Sequence, residues 1–99
     1  MQGAVWLPLG SPSPSPFALR TRIGFTLPKA SRATLEVFDA SGRRLRTLAD
    51  GVLTAGAHEI TWDGTGEQGA RVNAGLLFVR LRADGREGVR RMVLLGGTR

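Results

Sequence analysis

Cysteine is absent from the chain, which excludes disulfides, thiolate metal ligands and cysteine nucleophiles, and leaves the redox compartment open. Histidine occurs once, at His58, so multi-histidine metal sites and histidine-paired triads within one chain are disfavoured. No apolar run approaches the roughly 20 residues that a helix needs to span a bilayer. The opening Met1–Leu9 has no basic n-region, and Pro8 interrupts its short apolar stretch, so no signal peptide is read there. No helical period and no internal repeat is visible. Nothing in this inventory supports an enzyme, and no cofactor or metal is implied.

What remains is 99 residues, 41% hydrophobic and 22% charged, an ordinary composition for one folded domain. The net charge of +6 invites a nucleic-acid reading. Its distribution argues against one. All but one of the 14 basic residues are arginine, the exception being Lys29, and they are scattered and interleaved with acidic residues from Glu36 to Glu87. A groove that tracks phosphates would prefer a one-sided basic cluster with exposed aromatics.

The chain divides into an arm and Pro/Ser linker over 1–16, a body over 17–95 and a tail over 96–99. Gly-Ser-Pro-Ser-Pro-Ser-Pro at 10–16 reads as a stiff, polyproline-like linker, which points to an upstream domain of the same polypeptide. Trp6 is expected to cover a sheet edge. From Phe17 onward the period is two. Ile23, Phe25 and Leu27 alternate with Arg22, Gly24 and Thr26 before Pro28, and Ala33, Leu35 and Val37 alternate with Arg32, Thr34 and Glu36. Arg43–Leu48 reads as a third strand in which Leu45 and Leu48 break strict alternation, predicting a bulge. Asp50-Gly51 and Ala55-Gly56 bracket a connection, and His58, Ile60 and Trp62 share a face. The glycine-rich 63–75 reads as loop, with room for a short strand at 71–73. The last two strands, 76–83 and 89–95, meet at Asp84-Gly85. A two-residue turn would set Leu81 against Gly88, whereas a three-residue loop aligns Leu81 with Val89 and Leu77 with Val93, so burial favours the longer loop.

Six to seven short strands punctuated by Gly and Pro predict an all-β fold, an immunoglobulin-like antiparallel β-sandwich of about seven strands. Its expected core is Ile23, Phe25, Leu35, Val37, Leu45, Ile60, Trp62, Leu77, Val79, Leu81 and Val93.

The ordered set Pro14-Ser15-Pro16-Phe17, Ile23–Pro28, Leu35–Asp39, Gly42–Leu48, Ala55-Gly56, Trp62-Asp63-Gly64, Gly69, Gly75 and Arg91–Leu95 resembles a known family. It is similar to the FlgD-like immunoglobulin-fold domain and to the C-terminal sorting domains of bacterial type IX secretion. The resemblance implies a seven-stranded sandwich without catalysis. One expectation is a C-terminal module of an exported bacterial protein, acting in secretion sorting or surface attachment. A second is a flagellar hook-capping scaffold. A carbohydrate- or nucleic-acid-binding sandwich is the third. The expected partners are secretion or scaffold proteins, and the expected location is the cell surface or beyond.

The candidate residues read mostly as architecture. Trp62 anchors the core, while Asp39, Gly42, Asp63, Gly64 and Gly75 turn the chain. Asp63, Thr65 and Glu67 alternate like calcium ligands, but position twelve of such a loop is Ala74, so calcium is not read there. Gly64-Thr65-Gly66 with Gly69 gives G-x-G-x-x-G, yet it opens no helix and lies in no βαβ unit. Phe38 follows inward Val37, so it should point outward, and with Arg43 and Arg44 it forms the candidate partner contact.

Overall fold

The computed structural model describes residues 8–96 and contains six strands: β1 (Thr21–Leu27), β2 (Ser31–Asp39), β3 (Arg44–Leu53), β4 (Gly56–Trp62), β5 (Gly75–Ala83) and β6 (Arg86–Leu94). They form two antiparallel sheets, β1–β4 and β3–β2–β5–β6. Alternation decides which faces meet. Ile23, Phe25 and Leu27 of β1 and Trp62 of β4 share one buried cluster with Leu35 and Val37 of β2 and Leu77, Val79 and Leu81 of β5. Burying every second side chain of two sheets against each other is the sandwich solution.

Among the described residues there are six regular strands, and the N-terminal arm takes an edge position without becoming a seventh. Residues 8–13 lie along β1, with bridges Leu9↔Phe25 and Ser13↔Arg22. Prolines at every second position from Pro12 withhold the N–H groups that a continuous ladder needs. Thus the Pro/Ser segment, read from composition as a linker, packs on the sandwich: Leu9 and Phe17 are fully buried. Trp6 lies outside the described residues, as does the tail beyond Gly96.

Strand β3 runs to Leu53, through the Asp50-Gly51 that reads as a connection in the sequence; Gly51 pairs with Ala33. The bulges sit at the two leucines that break alternation. Leu35 faces Ala49 while Glu36 faces Thr47, leaving Leu48 unpaired, and Val37 faces Arg46 while Phe38 faces Arg44, leaving Leu45 unpaired. Both leucines, with Ile60, pack on the core only partly buried. Residues 71–73 form no strand, only an isolated bridge between Thr65 and Arg71.

The β5–β6 hairpin overturns the longer-loop expectation. Asp84-Gly85 is a two-residue turn with φ of 54° and 73°, and Leu81 faces Gly88. Left-handed φ at both positions gives the type I′ turn whose twist matches paired strands, and glycine tolerates it at the second. Burial does not oppose this register. It turns Met92 and Leu94 inward while Val89 stays exposed and Val93 only partly buried.

Trp62 closes the other end. Its ring lies 5.8 Å from that of Phe17, tilted by 57°, and its Nε1–H donates to the Thr65 carbonyl at 2.9 Å. Replacing Trp62 with alanine is expected to cost about 3–5 kcal/mol, read as a drop in the urea midpoint at unchanged slope.

Candidate protein-interaction face

The residues left over by the core alternation build the outer face of the larger sheet. β2 and β5 pair with Val37 against Val79, so the neighbouring positions set Glu36 against Arg80 and Phe38 against Phe78. Glu36 Oε1 accepts from Arg80 Nη2 at 3.0 Å, and Oε2 accepts from Arg44 Nη1 of β3 at 3.1 Å. The same Arg80 guanidinium lies 4.6 Å above the Phe38 ring, while its Nε is buried without a hydrogen-bond partner. Phe38 is therefore half-buried beneath a guanidinium, not a free outward aromatic. The cation–π contact contributes on the order of 0.5–2 kcal/mol.

Burial would raise the carboxyl pKa of Glu36. The hydrogen bonds and charges of Arg80 and Arg44 outweigh it and hold the group below its ordinary value. Glu36 thus stays ionised and fixes both arginines to one point on the sheet.

Arg43 is set by a turn. Asp39 Oδ1 accepts from the Ser41 N–H at 2.9 Å, the Ser41 hydroxyl at 2.6 Å and the Arg43 N–H at 3.0 Å. The Ser41 hydroxyl and then the Arg43 amide lower the Asp39 carboxyl pKa. Gly42 completes the turn by donating its N–H to the Asp39 carbonyl. Arg43 extends from it, exposed, with Nε 3.6 Å from Asp39 Oδ2.

The Trp62-Asp63-Gly64 corner makes a second polar cluster. Asp63 Oδ1 accepts from the hydroxyl and amide of Thr65, which hold its carboxyl low. Arg46 donates to the Thr65 hydroxyl, and Arg71 donates to the Asp63 carbonyl at 2.8 Å and the Ala18 carbonyl at 2.6 Å. Gly64 holds φ at 82°, the left-handed region that favours glycine, and a β-carbon there would also sit 3.1 Å from the Arg71 guanidinium. Gly75 opens β5. His58 stacks on Phe25 with ring centroids 5.3 Å apart, and its Nε2 lies 2.8 Å from the Thr54 carbonyl. Among the described residues no group of three or more His, Asp or Glu side chains is placed to hold a metal.

The structure brings Phe38 and Arg44 together and places Arg43 beside them. Glu36, Arg80 and Phe78, which join them on this face, carry no local signal in the sequence. Only the β2–β5 register brings them together.

The family described as the FlgD Ig-like domain matches residues 16–87. The basal-body rod modification protein FlgD of Escherichia coli K12 is 38% identical over 55 residues, covering 56% of this chain and 24% of that protein. Its counterpart in Salmonella typhimurium LT2 is 39% identical over 55 residues, with the same coverage. The chain thus spans about a quarter of the length of the curated relatives it matches. A crystal structure of FlgD from P. aeruginosa shares the fold, with a TM-score of 0.56 at 15% identity, covering 93% of this chain and 74% of that one.

Because folding lowers the Glu36 carboxyl pKa, its stabilising contribution is full above the ordinary value of 4.5 and fades as pH falls through the folded value. Glu36→Gln is expected to lose about 1–3 kcal/mol at neutral pH, two charged hydrogen bonds being weakened. Its urea midpoint should fall less than that of the parent below pH 4.5. Asp39 and Asp63 titrate in both proteins, so the difference between the two curves isolates Glu36.

Proposed function

The chain belongs to the FlgD Ig-like domain family, and from that premise we propose that it is a non-catalytic scaffold module of an exported bacterial flagellar protein. Its task in this reading is to hold rod or hook subunits while they assemble outside the cytoplasm. The observation that carries the reading is the Arg44–Glu36–Arg80–Phe38 cluster on the outer sheet face. Arginine and aromatic side chains dominate binding hot spots, and a cluster already ordered in the free domain loses little conformational entropy when a partner arrives. Arg43, held by the Asp39 turn, extends the same face.

The relatives' greater length supports a second element of the proposal, that this domain works beside an upstream domain of its own polypeptide. Among the described residues no helix is long and apolar enough to cross a membrane. Secretion sorting at the C-terminus of a cargo is the second reading. It would also use a folded surface, but the rod-modification relatives favour the flagellar one. Neither a nucleic acid nor a cofactor is part of the proposal.

Biolayer interferometry of the whole chain against purified rod and hook subunits tests it. Phe38→Ala and Arg44→Glu should each weaken binding roughly tenfold or more, about 1.4 kcal/mol, while circular dichroism stays unchanged. Equal binding by parent and variants would remove the assigned face. Failure to bind any subunit, together with delivery of a fused cargo through a type IX translocon, would replace the flagellar reading with sorting.

A further inference from the structure

The β6 edge is open along part of its length, and a groove runs beside it. Phe17 N–H donates to the Val93 carbonyl at 2.9 Å, and Val93 N–H donates to Ser15 Oγ at 3.2 Å, so Val93 turns its backbone away from β5 and toward the arm. By the two-residue period, Val89 and Arg91 turn their N–H and C=O groups to the same side. Among the described residues neither makes a hydrogen bond there. The space they face is a groove of 840 Å³, walled on its far side by Ser11, Pro12 and Ser15 of the arm. Leu76 and Val89, both exposed, give it apolar surface, and its charged lining is Arg90 and Arg91 without any carboxylate.

We propose that this groove takes an extended acidic peptide segment of a partner protein, added antiparallel to β6 opposite Val89–Arg91. The main chain would supply the pairing, as in strand addition generally, and the neighbouring side chains the selectivity. Opposite Val89, which shares its outward side with Leu76, an aliphatic residue fits. Opposite Arg91 on the same side, and opposite Arg90 on the other, carboxylates fit. Arg90 already spends its Nε on the Leu9 carbonyl at 2.7 Å, which holds the guanidinium at the groove with its terminal nitrogens available. The matching sequence, read in the antiparallel direction, is Asp-Asp-Val. A second copy of the chain is a poor occupant: β6 laid antiparallel on itself about Arg90 sets guanidiniums against each other. The proposal rests on the reading of the domain as a protein-binding module, but it uses a surface other than the Phe38–Arg44 cluster.

The probe is a blocked peptide, Thr-Val-Asp-Asp-Val-Thr, titrated into the ¹⁵N-labelled chain, with Thr-Val-Lys-Lys-Val-Thr as control. The acidic peptide should shift the amides of residues 87–93 and slow hydrogen exchange at Val89 and Arg91, and the basic peptide should do neither. Arg91→Glu should weaken binding roughly tenfold or more. Val89→Pro should abolish it by deleting an edge N–H that β5 does not use, with thermal melting confirming the fold. Shifts centred on Phe38 and Arg44, equal response to both peptides, or no response in the folded parent would each overturn the groove assignment. Subunit binding lost on Phe38→Ala but kept on Arg91→Glu would overturn it while leaving the scaffold reading intact.

Discussion

The pairing of β2 with β5 is the constraint on which core and surface both depend. Val37 against Val79 on the inner side and Glu36 against Arg80 on the outer side are adjacent rungs of one ladder. Side chains alternate faces with a period of two, so a slip of β2 by one residue along β5 would move Leu35 and Val37 into solvent and drive Glu36 inward, away from Arg80. The apolar half of the ladder supplies the driving force that holds the register. The polar half then receives its geometry from a register that the apolar half sets, which suits a binding surface. The central position of β2, between β3 and β5, also explains why Arg44 from one neighbour and Arg80 from the other reach the same carboxylate.

A two-stranded sheet cannot close a sandwich alone, since isolated two-stranded ribbons are marginal and leave edges open. The arm resolves this on one side. It bridges β1 at Leu9 and Ser13 and β6 at Phe17, so it joins the two sheets along their shared flank. Buried Thr21 donates its hydroxyl to the Pro14 carbonyl at 2.7 Å, fixing the corner where the arm turns into β1. Leu9 and Phe17, at the two ends of this segment, both reach the core, and the Ser13-Pro14 and Ser15-Pro16 peptide bonds between them are cis.

How much of this is legible in the sequence depends on whether the signal is local. The β1 and β2 alternation is local, and so is the disruption at Leu45 and Leu48 that becomes two bulges. The β6 register is degenerate to a count of apolar residues, because Val89 with Val93 and Met92 with Leu94 are equally good inner pairs; only the φ demands of Asp84-Gly85 separate them. The arm hides Leu9 and Phe17 because its Ser and Pro content has the composition of a linker. The Glu36–Arg80 pair spans 44 positions, and nothing within either strand announces it. Phe38 reads correctly as outward, but its cover by Arg80 belongs to the same non-local register.

The arginine excess takes on a different meaning once its contacts are traced. Arg71 ties the 63–71 corner to Ala18, 53 positions away, and Arg90 ties β6 to Leu9, 81 positions away. Arg46 joins β3 to Thr65, and Arg80 joins β5 to Glu36. A domain below about 100 residues has little core to spare, and small domains often add disulfides for that reason. This chain has no cysteine, and the planar five-donor guanidinium gives it long-range cross-links instead. Three of these four arginines donate to main-chain carbonyls, which are neutral acceptors, so salt screens these ties less than it screens exposed ion pairs. Positive charge committed to the chain's own carbonyls is poorly placed to form a phosphate-tracking surface.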